Sequence, residues 1–182
     1  MKKLTSGFVI LATIFFAPLC LVHAQKETIP RIGILYLGVR PSAVLDGFIE
    51  GLRELGRIEG KNILIEYRYA EGKEERLPEL ATELVRLKVD AIFTAGTPSI
   101  YAVKQATKTI PIVFFSTSDP IGTGVVASLA HPGGNITGVS ALASDLWPKR
   151  LELLKEISPK LSRVAMVWNK SNAGMLLEAR AT

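Results

Sequence analysis

Arg31-Ile-Gly-Ile-Leu-Tyr-Leu37 is a short apolar run closed by Gly38. Ser42 to Leu55 follows it, with Val44, Leu45, Phe48, Ile49, Leu52 and Leu55 on one helical stripe that Gly56 closes. A strand followed directly by an amphipathic helix is the opening of a βαβ unit, and the same two periods alternate downstream. Asn62 to Tyr69 reads as a second strand, with Ile63, Ile65, Tyr67 and Tyr69 against Leu64, Glu66 and Arg68, the pattern of a sheet edge. Leu77 to Lys88 is a second helix with Pro78 in its first turn. Ala91 to Ala95 is a third strand, Thr97-Pro98 opens a third helix through Ala106, and Ile112 to Phe115 is a fourth strand. Val125 to Leu129 is expected to form a short helix, His131 to Asn135 a turn, and Ile136 to Ser140 a fifth strand. Such alternation makes an α/β fold, a doubly wound and mostly parallel sheet. The handedness of crossovers leaves few topologies. The flavodoxin-like order 2-1-3-4-5 fits an edge-like second strand and buried first and third strands.

Beyond Ser140 a new unit starts. Trp147 to Ile157 is helical, Pro159 ends it, and Arg163 to Trp168 reads as another buried strand before the loop from Asn169 to Asn172. Residues 173 to 182 begin one more helix. Three such pieces do not enclose a core by themselves.

At the other end, residues 1 to 24 have the build of a secretory signal peptide. Lys2 and Lys3 supply the charged start, Phe8 to Val22 the apolar stretch, and Val22-His23-Ala24 a cleavage site before Gln25. An uncleaved anchor would need an apolar run of ~20 residues, and this run is shorter and holds Pro18. A lipid on Cys20 would need small residues before it, where Pro18-Leu19 stands instead. The expected location is periplasmic or otherwise extracytoplasmic.

Composition narrows the function classes. The chain has 182 residues, 48% hydrophobic and 21% charged, which excludes a disordered chain. With Lys2 and Lys3 set aside, 20 basic residues stand against 17 acidic ones, a mild excess without a basic block. That offers no footprint for nucleic acid. The single cysteine, Cys20, excludes a disulfide framework and cysteine-based zinc sites.

Several stretches together resemble a known family. They are Arg31 to Leu35, Gly47-Phe-Ile-Glu-Gly-Leu-Arg-Glu-Leu-Gly56, Glu59-Gly-Lys-Asn62, Ala95-Gly-Thr-Pro98, Ile110 to Phe114, Ser118-Asp-Pro120 and His131-Pro-Gly-Gly-Asn-Ile-Thr-Gly-Val-Ser140. In order and spacing they are similar to the substrate-binding proteins of bacterial ABC transporters with the type 1 periplasmic-binding fold. The nearest branch is the one that includes tryptophan- and phenylalanine-binding members. The resemblance covers about residues 30 to 172. It implies two similar lobes joined by crossing strands, with a small-molecule ligand between them. It also implies permease and ATPase subunits on other chains as partners, and no cofactor. On this reading residues 25 to 140 are the N-terminal ligand-binding lobe. Residues 141 to 182 are the lobe crossing and an incomplete start of the C-terminal lobe, so the chain is expected to be a fragmentary member.

Ligands of open α/β sheets bind beyond the carboxyl ends of the strands, and four places there are candidates. Gly38 follows the first strand, where it either admits a ligand or serves a plain turn. Gly96, Thr97, Pro98 and Ser99 start the third helix. With Thr97 as N-cap and Pro98 at N1, backbone N–H groups and the helix dipole would meet a carboxylate, such as an amino acid carries. Ser116, Thr117, Ser118 and Asp119 follow the fourth strand and offer hydroxyls and a carboxylate to polar ligand atoms. Asp119 before Pro120 is equally read as a helix cap. Ser140 ends the fifth strand, where the lobes cross in the family.

Catalysis is not expected. His131 is the only histidine outside the leader, and it sits in a Pro-Gly-Gly turn. No nucleophile elbow, Walker loop, zinc helix or dinucleotide fingerprint occurs. The function expected is capture of a small polar ligand, such as an amino acid, for an ABC importer. The alternative is an exported sensing domain or enzyme on the same fold. An enzyme would need an acid–base pair or metal cluster in loops that offer only hydroxyls and Asp119.

Overall fold

The structure is a computed structural model that describes residues 29–117, 119–141, 143–165, 167 and 169. Its elements run β1 (Arg31–Tyr36), α1 (Ala43–Glu54), β2 (Leu64–Tyr69), a single 3-10 turn (Glu74–Arg76), α2 (Leu77–Arg86), β3 (Ala91–Ala95), α3 (Thr97–Ala106), β4 (Ile112–Thr117), β5 (Ile136–Ser140) and α4 (Ala143–Ile157). The five strands form one sheet in the order β2-β1-β3-β4-β5. Each neighbouring pair is parallel. This is the expected α/β lobe, with β2 at an edge.

The opening run explains why β1 lies inside the sheet. Alternate residues of a strand point to opposite faces, and Ile34 and Leu35 are both fully buried. Ile34 packs with Leu45 of α1 and Phe93. Leu35 belongs to the larger core on the other face, with Leu84 of α2, Ile92, Val103 of α3 and Ile112. A strand buried on both faces reads as continuous apolar sequence, which is what Ile34-Leu35 is. Phe48 of α1 stacks on Phe93 of β3, ring centroids 3.9 Å apart. At the β2 edge, Glu66 and Arg68 carry charge outward, and Arg68 pairs with Glu83 of α2 at 2.6 Å.

Several expectations are corrected. Val125 to Leu129 is not helical. Asp119 Oδ1 accepts the N–H groups of Ile121 and Gly122, and Gly124 turns the chain at φ +67. The Val126 N–H bonds back to the Pro120 carbonyl and the Ala127 N–H to that of Pro132, so these backbone groups are used outside any helix, and Val125 and Val126 enter the core individually. Residues 163 to 165 and 167 form no strand. Val164 and Val167 are 55% and 98% exposed, because an apolar run becomes a strand only beside a partner whose backbone completes its ladder. Met166 and Trp168 lie outside the described residues. Coverage of the sheet is also uneven. The α2–α3 face is sealed, whereas on the α1 face Val113, Phe115 and Val139 remain 40%, 41% and 62% exposed. The helix expected from Trp147 begins earlier, at Ala143, and carries Pro148 inside it.

Candidate functional site

Parallel pairing puts all five carboxyl ends on one side of the sheet. The chain leaves β1 toward β2 in one direction and returns to β3 in the other, so a crevice opens between β1 and β3. A cavity of about 470 Å³ lies there. Tyr36 walls it from β1, Leu37 and Gly38 from the loop that follows, Ala95, Gly96 and Pro98 from the β3–α3 junction, Phe115 from β4, Val44 from α1, and Gly72 from the loop after β2.

Gly96 sets the geometry of the junction. Its φ of +80 with ψ of 141 is a conformation that side chains resist. This makes Gly96 the N-cap, Thr97 N1 and Pro98 N2, which corrects the expected assignment of Thr97 as cap. The Thr97 hydroxyl instead shares a 3.2 Å hydrogen bond with the Thr117 hydroxyl, both buried. Helix geometry leaves the first-turn N–H groups of Thr97 and Ser99 without intrahelical partners. Ser99 is fully buried and its Oγ has no hydrogen-bond partner among the described residues.

The other expected residues divide. Ser116 and Thr117 are the last two residues of β4 rather than loop residues, and Ser118 lies outside the described residues. Asp119 takes the capping role, holding the turn that follows it. Ser140 donates to the Thr117 carbonyl at 2.8 Å, and the Ala141 N–H reaches the same oxygen at 3.1 Å. Thus Gly38, Gly96 and Pro98 line the cavity, while Thr97, Thr117 and Ser140 bind the strand ends to each other. Sequence reasoning missed Tyr36, Leu37, Val44, Gly72, Ala95 and Phe115. The period of two in β4 carried one usable signal, since Phe115 alternates with the buried Phe114 and must face the other way.

Beside the cavity, the loop carrying Gly38 is fastened to the β2 edge. The Arg40 guanidinium lies 4.6 Å over the Tyr67 ring, and the Tyr67 hydroxyl donates to Glu59 Oε2 at 3.0 Å. Burial, then the bond to Glu59 and its charge, push Tyr67 up to about 12 against the opposing charge of Arg40. Burial also raises Tyr69, whose buried hydroxyl has no hydrogen-bond partner among the described residues. A raised folded-state value means the fold holds its phenol proton where the unfolded chain, near pH ~10, releases it. Stability should therefore be full below that pH and decline as pH rises through about 12. Alkaline denaturation of Tyr67→Phe should show a shallower decline, and a decline identical to wild type would remove Tyr67 as its source.

No group of three His, Cys, Asp or Glu side chains suited to a metal occurs among the described residues. No described helix is long and apolar enough to cross a membrane.

The comparison with known proteins meets this geometry directly. Residues 40–182 match the sequence profile of the family described as ABC transporter substrate binding protein. The chain belongs to that family. It is a family of substrate-binding proteins rather than enzymes, as the sequence reading expected. A curated relative, a tyrosine-binding protein of Clostridioides difficile, is 36% identical over 150 residues, covering 81% of this chain and 43% of the relative. Among solved structures, a conserved domain protein of Vibrio cholerae aligns with a TM-score of 0.78 at 32% identity. An ABC domain from Streptococcus pneumoniae, solved in complex with L-Trp, aligns with 0.75 at 26% identity. Both alignments cover 84% of this chain and 52% of the solved one. The chain thus spans about half the length of these relatives, and its described fold is that of a single lobe of a type 1 periplasmic-binding protein.

Proposed function

We propose that this lobe forms one wall of a cleft that captures an amino acid with a large apolar side chain for an ABC importer. The observation that carries the reading is the pairing of chemistries in one cavity. The start of α3 offers backbone N–H groups and the positive end of a helix dipole to a carboxylate. Tyr36, Leu37, Val44 and Phe115 offer an apolar wall to the side chain. Asp119, engaged with its own turn, is not assigned to the ligand. Relatives that take tyrosine and L-Trp support the same class. Closure of a second lobe over the ligand excludes water and adds the remaining contacts. Capture takes place outside the cytoplasm, and the ligand passes to a permease on another chain, which an ATPase subunit drives.

Calorimetry on a protein extended to the length of the relatives, with a panel of amino acids, tests the reading. Aromatic members should bind and aspartate and lysine should not. Phe115→Ser should weaken the aromatic ligands by about tenfold, as loss of a buried apolar contact does. A panel without any binder, or a preference for charged members, would overturn the reading. Export is tested separately: N-terminal sequencing of the secreted protein should begin at Gln25, and an intact leader or a lipid on Cys20 would contradict it.

A further inference from the structure

We propose that Lys104 is a positioning residue for the cleft, fixing the connection after β4 against α3; this rests on the reading of the cleft given above. Lys104 sits in the last turn of α3, half-buried and away from the cavity. Its Nζ donates to the carbonyl of Gly124 and, at 3.0 Å, to that of Val125. One turn earlier, the Tyr101 hydroxyl donates to the carbonyl of Thr123. Three consecutive carbonyls of the connection are therefore held by two side chains of one helix. No carboxylate pairs with Lys104 among the described residues, so its ammonium is committed to the backbone.

The connection transmits this hold to the cleft. The Thr123 N–H and hydroxyl both donate to the Asp119 carbonyl, and Asp119 Oδ1 holds Ile121 and Gly122. Residue 119 is thus tied to residue 123, and residues 123 to 125 are tied to α3. Only one residue separates Asp119 from Thr117, whose hydroxyl meets Thr97 at the start of the same helix. Helix α3 therefore grips the β4 lip at both ends, through Thr97 at its start and through Tyr101 and Lys104 farther along. The helix end that meets the ligand and the strand end that faces it move as one piece. Buried Val125 and Val126 anchor the far side of the connection in the core.

Hydrogen exchange on the mature protein, followed by mass spectrometry without ligand, tests the hold directly. In Lys104→Met, amides of residues 119 to 126 should exchange about tenfold faster or more, the scale of losing charge-assisted bonds to carbonyls. Amides of β1, β3 and α2 should be unchanged. Lys104→Arg, which keeps a charged donor, should return the connection toward the wild-type rate. Tyr101→Phe gives a second, milder variant and should loosen the same segment should Lys104→Met fail to fold. Unchanged exchange at residues 119 to 126, or equal acceleration throughout the core, would overturn the proposal. With L-tyrosine and L-tryptophan as probes on the extended protein, Lys104→Met should bind more weakly and release faster, with recovery in Lys104→Arg. Unaltered affinity would overturn the link to the cleft. Absence of binding by wild type would refute the ligand reading above and with it that link, while the exchange result still decides the hold on residues 119 to 126.

Discussion

Gly96→Val should reduce ligand affinity by on the order of a hundredfold in a protein carrying both lobes. Two effects add. At φ +80 and ψ 141 the Gly96 backbone occupies a region in which a β-branched residue is strained, at a cost of about 1–3 kcal/mol. A Cβ built there meets no protein atom within 4 Å, and Gly96 lines the cavity, so an isopropyl group would project into the space the ligand takes. If the backbone relaxes instead, the first turn of α3 rotates and its N–H groups leave the carboxylate position. Gly47→Ala is the control. Gly47 also has room for a Cβ but lies within α1 at an ordinary helical φ, where Gly to Ala stabilises by about 0.5–1 kcal/mol. Calorimetry on both variants decides the matter. Full affinity in Gly96→Val would remove the β3–α3 junction from the site.

Leu84→Ala should be the most damaging single truncation in the lobe. Leu84 is fully buried in the larger core, at the centre of the α2 contact with the sheet. Its Cδ atoms lie where a Cβ on Gly33 would fall, 3.0 to 3.1 Å away. Leucine to alanine at such a site costs about 2–5 kcal/mol, through lost transfer energy and the cavity left behind. In a lobe of this size each kcal/mol lowers the midpoint by roughly 4–8 °C. Thermal unfolding followed by circular dichroism should therefore shift downward by about 8 °C or more. Gly33→Ala should destabilise wild type by pressing on Leu84, yet be relieved or favourable in the Leu84→Ala background, a coupling that a double-mutant cycle reads directly. Additive effects would mean that Gly33 and Leu84 do not share that space.

The alternation of apolar runs and helical stripes was sufficient for the fold class, the strand order and nearly every element. Hydrophobic periodicity reports which backbone geometry buries a segment, and β1, β3, β5 and α3 stand where that periodicity puts them. Gly96 stood among the candidate residues, but its φ of +80 and its place as N-cap came from the structure, since Thr97 is by residue type an equally acceptable cap. Failures occurred where a residue has two acceptable partners and only packing chooses. Asp119 stood open between a ligand and its own turn, and the nearby N–H groups of Ile121 and Gly122 engage it in the turn. Thr97 could cap its helix or bond across strands; the parallel register of β3 and β4 brought Thr117 within reach. Val125 and Val126 could line a helix face, but the carbonyls of Pro120 and Pro132 took the N–H groups of Val126 and Ala127. The apolar wall of the cavity is not told apart from the core in the sequence for the same reason. Leu37, Val44 and Phe115 are hydrophobic like their buried neighbours, and hydrophobicity is a property of a side chain, whereas exposure belongs to a surface assembled from segments distant along the chain. Periodicity along the chain is enough for a doubly wound parallel lobe with its loops gathered at the carboxyl ends of the strands. Which of those groups line the cavity and which bond to one another is settled by packing, because each polar group takes the partner that folding brings closest.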